Sequence, residues 1–117
     1  MDDWLEREVR TEVERRARNE WIEETTDRFD AGNAVEAFVC ECSDHSCAST
    51  IDLSRDEYES VRSQAQRFAI ARDHEDPQTD RVVAENDRFA VVEKWLGFAK
   101  RIAVETDPRG AFRTQDG

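Results

Sequence analysis

All three cysteines of this chain lie within eight residues, in the segment FVCECSDHSC at 38–47. Cys40, Cys42 and Cys47 give the spacing C-x-C-x4-C. Three is an odd number, and a cluster of thiols in a reducing compartment is more typical of metal or redox chemistry than of a disulfide framework. Thiolate sulfur suits Zn²⁺, whose structural sites are tetrahedral with Cys and His ligands. The cluster therefore predicts a zinc site that constrains how the surrounding chain can fold.

Two histidines are candidates for the fourth metal ligand, and chain geometry favours one of them. His45 lies inside the cysteine loop (residues 40–47), and His74 lies 27 residues beyond Cys47. Four ligands within the loop would close only one small ring, whereas His74 would tie the loop to the far side of the domain, where metal binding contributes most to folding. We therefore predict that the metal ligands are Cys40, Cys42, Cys47 and His74. A fourth ligand at His45 or Asp44, and three thiols that bind no metal, stay open as alternatives.

Composition predicts one small domain with a thin core. Of the 117 residues, 38% are apolar and another 38% are charged. A small domain with little apolar surface gains much of its stability from a bound metal that crosslinks the chain, so this composition agrees with the predicted site. The net charge of −11 argues against a nucleic-acid partner, because binding a phosphate backbone needs a basic face.

The sequence also favours a cytoplasmic location. No stretch approaches the ~20 apolar residues that a membrane span needs. The N-terminal MDDWLEREVR is acidic and lacks the basic and apolar regions of a secretory signal. We therefore expect a cytoplasmic protein with no membrane partner.

Residues 1–33 are the first predicted segment, a long helix over 3–30 that stops at Gly32. Glu-to-Arg pairs recur in it at i,i+4, each worth ~0.3 kcal/mol on an exposed helix. Its apolar residues drift at spacings of four and do not hold a coiled-coil heptad: Trp4, Leu5, Val9, Val13, Ala17, Trp21, Ile22 and Phe29. We expect this stripe to lie on the domain or on a second copy of the chain, so a homodimer through the helix is one expected assembly.

Residues 34–107 are the second predicted segment, a compact zinc-binding α+β domain. Strands are expected at 35–40 and 49–53, on either side of the cysteine loop, and a capping box of Ser54 and Glu57 begins a short helix. The rest of the segment is expected to hold a strand at 67–72, the His74 loop at 73–80, a hairpin at 81–95 that turns at Asn86-Asp87, and a helix at 93–107 that Gly97 interrupts.

This order of elements predicts an α+β fold. It has a long N-terminal helix, a small antiparallel sheet with a β-hairpin, short helices and a cysteine loop like a zinc knuckle. Residues 108–117 show no periodicity, and we expect them to be a disordered tail.

Two other uses of the cluster are open. A catalytic zinc would keep one position for water beside a general base, and Glu41 and Glu75 are adjacent to predicted ligands. Three thiolates, however, weaken the Lewis acidity of the metal. A redox role for the C-x-C pair is the other alternative, although Glu41 and Asp44 are expected to raise the pKa of the nearby thiols and so disfavour a reactive thiolate.

The same residues resemble a group of small uncharacterised actinobacterial proteins with no assigned function. The shared pattern covers residues 38–109 and runs F-x-C-E-C-x4-C, L-[ST]-x2-E-Y-x2-V-R, R-F, a histidine, V-V-E-K and D-P-R. The resemblance implies that the four predicted ligands are the shared polar constellation, framed by Tyr58, Val61, Arg62, Arg67 and Phe68. His45 has no counterpart in the pattern, and the usual Pro-Gly before the histidine is Arg72-Asp73 here.

Together these features predict a zinc-stabilised cytoplasmic interaction or regulatory module with no catalytic activity. Its expected partner is another protein of unknown identity. The alternatives are a small zinc-dependent, hydrolase-like enzyme with a carboxylate base, and a zinc or thiol redox sensor.

Overall fold

The predicted α+β fold is confirmed by the structure, a computed structural model that describes residues 3–28, 35–44, 46–95 and 97–109. Its elements occur in the predicted order: α1 (Asp3–Arg28), β1 (Val35–Val39), β2 (Thr50–Ser54), α2 (Arg55–Arg62), β3 (Arg67–Ile70), β4 (Asp80–Glu85), β5 (Ala90–Lys94) and α3 (Gly97–Glu105). No helix within these ranges is long and apolar enough to cross a membrane. The predicted helix stop at Gly32 and residues 110–117 of the predicted tail lie outside the described residues.

The antiparallel strands are divided between two small sheets. β1 pairs with β2, and the cysteine loop connects them. The second sheet has the order β3-β5-β4, with β5 in the centre. The Glu41 N–H donates to the Ala69 carbonyl at 2.9 Å, so the start of the cysteine loop is joined to β3. The two sheets therefore meet beside the cysteines.

Local signals place several element ends correctly. The capping box is present, because the Glu57 N–H donates to Ser54 Oγ at 3.2 Å and the Ser54 N–H donates to the Glu57 carboxylate at 2.8 Å. The hairpin turns as predicted, with the Asn86 N–H donating to the Phe89 carbonyl at 3.0 Å. The predicted helix at 93–107 was wrong at its start. Lys94 ends β5, and Gly97 is the first residue of α3 instead of an interruption within it.

Two small apolar clusters form the core. The first lies where β1, β2 and α2 meet β3 and β5, and in it the rings of Phe38 and Tyr58 stack with their centroids 4.6 Å apart. The second lies between β3, β5 and α3 and contains two of the cysteines: Cys40, Cys42, Phe68, Ile70, Ala90, Val92 and Ala103. The cysteines are thus part of the core, and a ligand held by them would lie at its edge.

The buried face of α1 is mostly polar. The predicted apolar stripe holds at Val9, which is buried, and at Ile22, which packs against the first apolar cluster, but it was wrong for Ala17 and Trp21. Its buried residues follow a regular three-four spacing: Val9, Glu12, Arg16 and Asn19. By contrast, Ala17 is exposed and Trp21 is 65% exposed. The side chains of Trp4, Leu5 and Phe29 lie outside the described residues. α1 packs through this face on β1 and α3, so it shares its interior with the segment that follows it.

Arg16 shows how the buried polar face of α1 is satisfied. Its guanidinium donates to the carbonyls of Ala65 at 2.7 Å and Ala103 at 2.8 Å, which lie after α2 and in α3. It also lies over the Phe68 ring, 4.7 Å from the centroid. A buried cation is tolerable only when such groups replace its water shell. Burial, with the nearby Arg62 adding to it, lowers the pKa of Arg16 to about 10.

The described fold extends past the predicted boundary at 107. Arg109 is half-buried and forms ion pairs with Glu20 and Glu23 of α1 and with Glu59 of α2. Its backbone N–H donates to the Asp107 carboxylate at 2.9 Å. The first two residues of the predicted tail are therefore ordered parts of the domain.

Candidate metal centre

The cysteine loop begins where β1 ends. The Cys40 N–H donates to the Ser49 carbonyl at 3.0 Å, which continues the pairing of β1 with β2 by one residue. Successive side chains of an extended chain point to opposite sides. Cys40 and Cys42 therefore lie on one side of the loop, and Glu41 lies on the other.

A turn brings the third cysteine back toward the first two. The Cys47 N–H donates to the Asp44 carbonyl at 2.9 Å. The Asp44 carboxylate in turn accepts hydrogen bonds from the Ser46 N–H at 2.9 Å and from the Ser46 hydroxyl at 2.7 Å. The alternative ligand His45 lies outside the described residues. The turn explains why four residues separate Cys42 from Cys47.

His74 reaches the cysteines from the loop after β3. Its N–H donates to the Ala71 carbonyl at 3.2 Å, and the residue before it, Asp73, has φ of 69°. This left-handed conformation favours glycine, and Asp is one of the few other residues that adopt it. The tight turn carries His74 back over the end of β3.

The structure brings all four predicted ligands together. Their ligand atoms lie within 4.8 Å of one another, and they form the only cluster of this kind among the described ranges. His74 Nδ1 is 3.6 Å from Cys40 Sγ and 3.6 Å from Cys47 Sγ. In a tetrahedral site with Zn–S of about 2.3 Å and Zn–N of about 2.05 Å, sulfur and nitrogen would be about 3.6 Å apart. The spacing therefore fits a metal ion of the size of zinc.

The three thiols differ in burial and in pKa. Cys40 and Cys42 are buried, whereas Cys47 is half-buried. The hydrogen bond with Cys40 lowers the pKa of Cys42 to about 4, and His74 and the Asp44 backbone contribute to the shift. The same bond, with burial, raises the pKa of Cys40. The expectation that the thiol pKa values would be raised was therefore wrong for Cys42.

Nitrogen donors surround the cysteine loop. The Ala71 N–H donates to Cys40 Sγ at 3.1 Å. Arg15 of α1 donates to the carbonyls of Cys42 and Cys47, both at 3.0 Å, and its Nη1 lies 3.4 Å from Cys42 Sγ. Such donors orient metal ligands and disperse thiolate charge. The sequence did not predict Arg15, because nothing local distinguishes it from the other arginines of α1.

Glu41 is not placed to act as a base at the cluster. Its carboxylate is fully buried and accepts hydrogen bonds from the Ala69 N–H and from Asn19 Nδ2, both at 2.8 Å, and from the Tyr58 hydroxyl at 3.4 Å. Burial raises the pKa of Glu41, against the opposing effect of these hydrogen bonds. Instead, its hydrogen bonds connect the cysteine loop, which follows β1, to β3 and α1.

An acidic cleft of about 570 Å³ lies on the outer side of the cluster. Cys42 and His74 form part of its wall, and Glu75, the other predicted base, lines it as well. Four further carboxylates line the cleft: Glu8, Asp44, Asp73 and Asp76. The field in the cleft favours cations over anions.

Comparisons of the chain with protein-family models, with curated proteins and with solved structures give no match. The resemblance to the small actinobacterial proteins stays a prediction. The function therefore has to be inferred from the geometry of the cluster.

Proposed function

We propose that Cys40, Cys42, Cys47 and His74 bind a structural Zn²⁺ and that the chain is a zinc-stabilised, non-catalytic interaction or regulatory module of the cytoplasm. The observation that carries the zinc site is the position of His74 Nδ1, 3.6 Å from the sulfurs of both Cys40 and Cys47. Three thiolates and one imidazole are also a ligand set typical of structural zinc.

A structural role fits the ligand set better than a catalytic one. Four protein ligands complete a tetrahedral shell, whereas a catalytic zinc keeps one position for water or substrate. Of the two predicted bases, Glu41 faces away from the cluster, and Glu75 only lines the adjoining cleft. The hydrolase-like alternative would require one of the four ligands to leave the metal.

The proposed metal would stabilise the fold at the edge of the second apolar cluster. The cluster joins residues that are 27 positions apart, and it closes the edge of the second apolar cluster. Binding free energy at such a site becomes folding free energy, because the unfolded chain does not hold the ligands together. Zinc would thus fix the His74 loop against the cysteine loop.

Metal analysis of the purified protein tests the site. We expect one zinc per chain, and we expect the Co²⁺-substituted protein to show the intense visible bands of a tetrahedral site with thiolate charge-transfer absorption. His74→Ala should lose most of the affinity, and His45→Ala is the matched control that should keep it. A folded wild-type protein without zinc would overturn the proposal, and loss of affinity only in His45→Ala would reassign the fourth ligand.

The half-buried Cys47 favours a second candidate, the redox sensor. A peroxide could oxidise two ligand thiolates to a disulfide; the thiolates lose two electrons, and the peroxide takes up these and two protons to give water. The metal would then lose two ligands and leave. Release of zinc by stoichiometric peroxide, reversed by a dithiol, would support this role, whereas retention of zinc would exclude it.

The protein partner stays a prediction. The buried face of α1 packs on the chain's own sheet and α3, so the predicted homodimer through α1 would have to use the opposite face, where Trp21 is exposed. Sedimentation equilibrium of the wild type and of Trp21→Ala tests this contact. A monomer at all concentrations would exclude the homodimer and leave a different protein as the expected partner.

A further inference from the structure

Arg15 joins α1 to both arms of the cysteine loop. Its Nη1 donates to the Cys42 carbonyl at 3.0 Å, and its Nη2 donates to the Cys47 carbonyl at 3.0 Å. Although the chain has 28 acidic residues, no carboxylate of the described residues lies within ion-pair distance of Arg15. Its charge is directed instead at a sulfur, Cys42 Sγ, 3.4 Å away.

The charge of the proposed centre explains this arrangement. Three thiolates and a neutral imidazole around Zn²⁺ leave one excess negative charge. Cys40 and Cys42 are buried, where an uncompensated charge is costly. A guanidinium beside Cys42 neutralises that charge and, through its two carbonyl bonds, also sets the shape of the loop.

We propose that Arg15 is the positioning residue of the metal centre and that it makes the docking of α1 depend on metal occupancy. This inference rests on the proposed zinc site. With the metal bound, the negative centre attracts Arg15 and holds this part of α1 on the loop. Without it, nothing holds Cys47 and His74 against Cys42, the cysteine loop loses its shape, and the Arg15 contacts to the Cys42 and Cys47 carbonyls weaken. Coupling of this kind is reciprocal. If bound metal strengthens the Arg15 contacts by some factor, those contacts strengthen metal binding by the same factor, and loss of Arg15 must weaken it accordingly.

Asn19 provides a comparison within the same helix face. One turn after Arg15, its side chain pairs with the N–H and the carbonyl of Val39, both at 2.8 Å. Val39 belongs to β1, whose pairing with β2 needs no metal. The two bonds of Asn19 to Val39 should therefore stabilise α1 docking equally with and without zinc. Its third bond, to the Glu41 carboxylate at 2.8 Å, reaches the cysteine loop, so we expect Asn19 to depend on zinc much less than Arg15, whose contacts all lie in that loop.

Zinc affinity of the folded protein, measured by competition with a chromophoric chelator, tests the proposal. Arg15→Gln should weaken zinc binding by about 10–100-fold, the usual effect of losing an outer-shell partner. Arg15→Lys, which keeps the charge, should recover part of the affinity. Arg18→Gln is the matched control. Arg18 lies on α1 and, together with Arg15, lines a groove beside Cys47, but it makes no hydrogen bond to the described part of the loop. It should bind zinc as the wild type does.

Hydrogen exchange of the unmutated protein gives a second readout that does not depend on any variant folding. Chelation should reduce protection of the amides around Arg15 in α1 while β3, β4 and β5 stay protected. Unchanged α1 protection, or an Arg15→Gln protein that binds zinc as tightly as the wild type, would overturn the role of Arg15. A wild type that binds no zinc would instead overturn the proposed site itself, so the two failures are distinguishable.

Discussion

Lys94 donates a hydrogen bond to the Glu12 carboxyl group in the interior, and neither side chain has exposed surface. Lys94 also bonds the Asp80 carboxylate and donates to Thr79 Oγ1 at 3.2 Å, so one ammonium group joins α1 to both strands of the hairpin. Burial outweighs the attraction of Lys94 and raises the pKa of Glu12 from 4.5 to about 8. The pair therefore makes folding sensitive to pH.

We expect Glu12→Gln to flatten the pH dependence of stability. A raised pKa means that the folded state holds a proton more tightly than the unfolded state, so the stability from this proton is full below pH 4.5 and is lost as pH rises to about 8. One such proton changes the free energy of unfolding by at most ~1.4 kcal/mol per pH unit. Urea unfolding at steps of pH measures the slope.

Glu14→Gln is the control for this measurement, because Glu14 lies on the exposed side of α1. It should keep the slope of the wild type. An unchanged slope in Glu12→Gln would mean that Glu12 stays ionised in the folded protein and that Lys94 overcomes the cost of burial.

Glu12 also shows why the packing of α1 could not be predicted. Apart from Val9, the buried face of α1 consists of Glu, Arg and Asn, residue types that normally mark the exposed side of a helix. Their partners lie far along the chain: Lys94 is 82 residues from Glu12, and Ala103 is 87 residues from Arg16. No local pattern encodes such pairs, so the apolar residues were assigned to the buried face.

Signals that act over short distances were predictable. The Ser54–Glu57 capping box and the Asn86 turn depend on residues within three positions of each other. The four candidate ligands were identified because thiols and imidazoles are rare in this chain and have few other roles. Arg15 and Glu41 were missed as supports of the cluster, since arginine and glutamate are abundant here and only tertiary contacts distinguish these two.

Asn19→Ala should destabilise the protein by about 2–4 kcal/mol, because it leaves the N–H and the carbonyl of the half-buried Val39 without their partner and removes one of the two hydrogen bonds to Glu41 Oε2. Asn19→Asp tests the chemistry at nearly constant volume. Its carboxylate cannot donate to the Val39 carbonyl and repels Glu41, so it should be at least as harmful. Urea unfolding measures both variants, with the exposed Arg18→Ala as control. A stable Asn19→Asp protein would contradict this account.

Arg109→Ala should destabilise the protein by about 1–3 kcal/mol, because three carboxylates lose the cation that bridges them. Burial opposes ionisation of Glu20, but hydrogen bonds from Arg109 and Arg62 outweigh it and lower the pKa. Arg109→Lys keeps the charge without the two-pronged contact to Glu20, so it should lose less stability. Salt should reduce the loss in both variants by screening the exposed part of the repulsion. Equal losses in the two variants, independent of salt, would indicate that Arg109 acts through packing alone.

Zinc should raise the melting temperature of the metal-free protein in a concentration-dependent way. A ligand that binds only the folded state adds about 4 kcal/mol at a thousandfold excess over its dissociation constant. For a domain of this size that corresponds to a rise of roughly 10 °C or more, measured by circular dichroism during heating. Cys47→Ser should show little rise.

Mg²⁺ distinguishes cation binding at the cysteine cluster from cation binding in the acidic cleft beside it. Mg²⁺ prefers carboxylate oxygen and avoids thiolate, so it would bind to carboxylates such as Glu8 and Asp76 and not to the sulfurs. We expect Mg²⁺ to leave the melting temperature almost unchanged while Zn²⁺ raises it. An equal rise with both ions that persists in Cys47→Ser would place the stabilising cation in the cleft and would contradict zinc binding at the cluster.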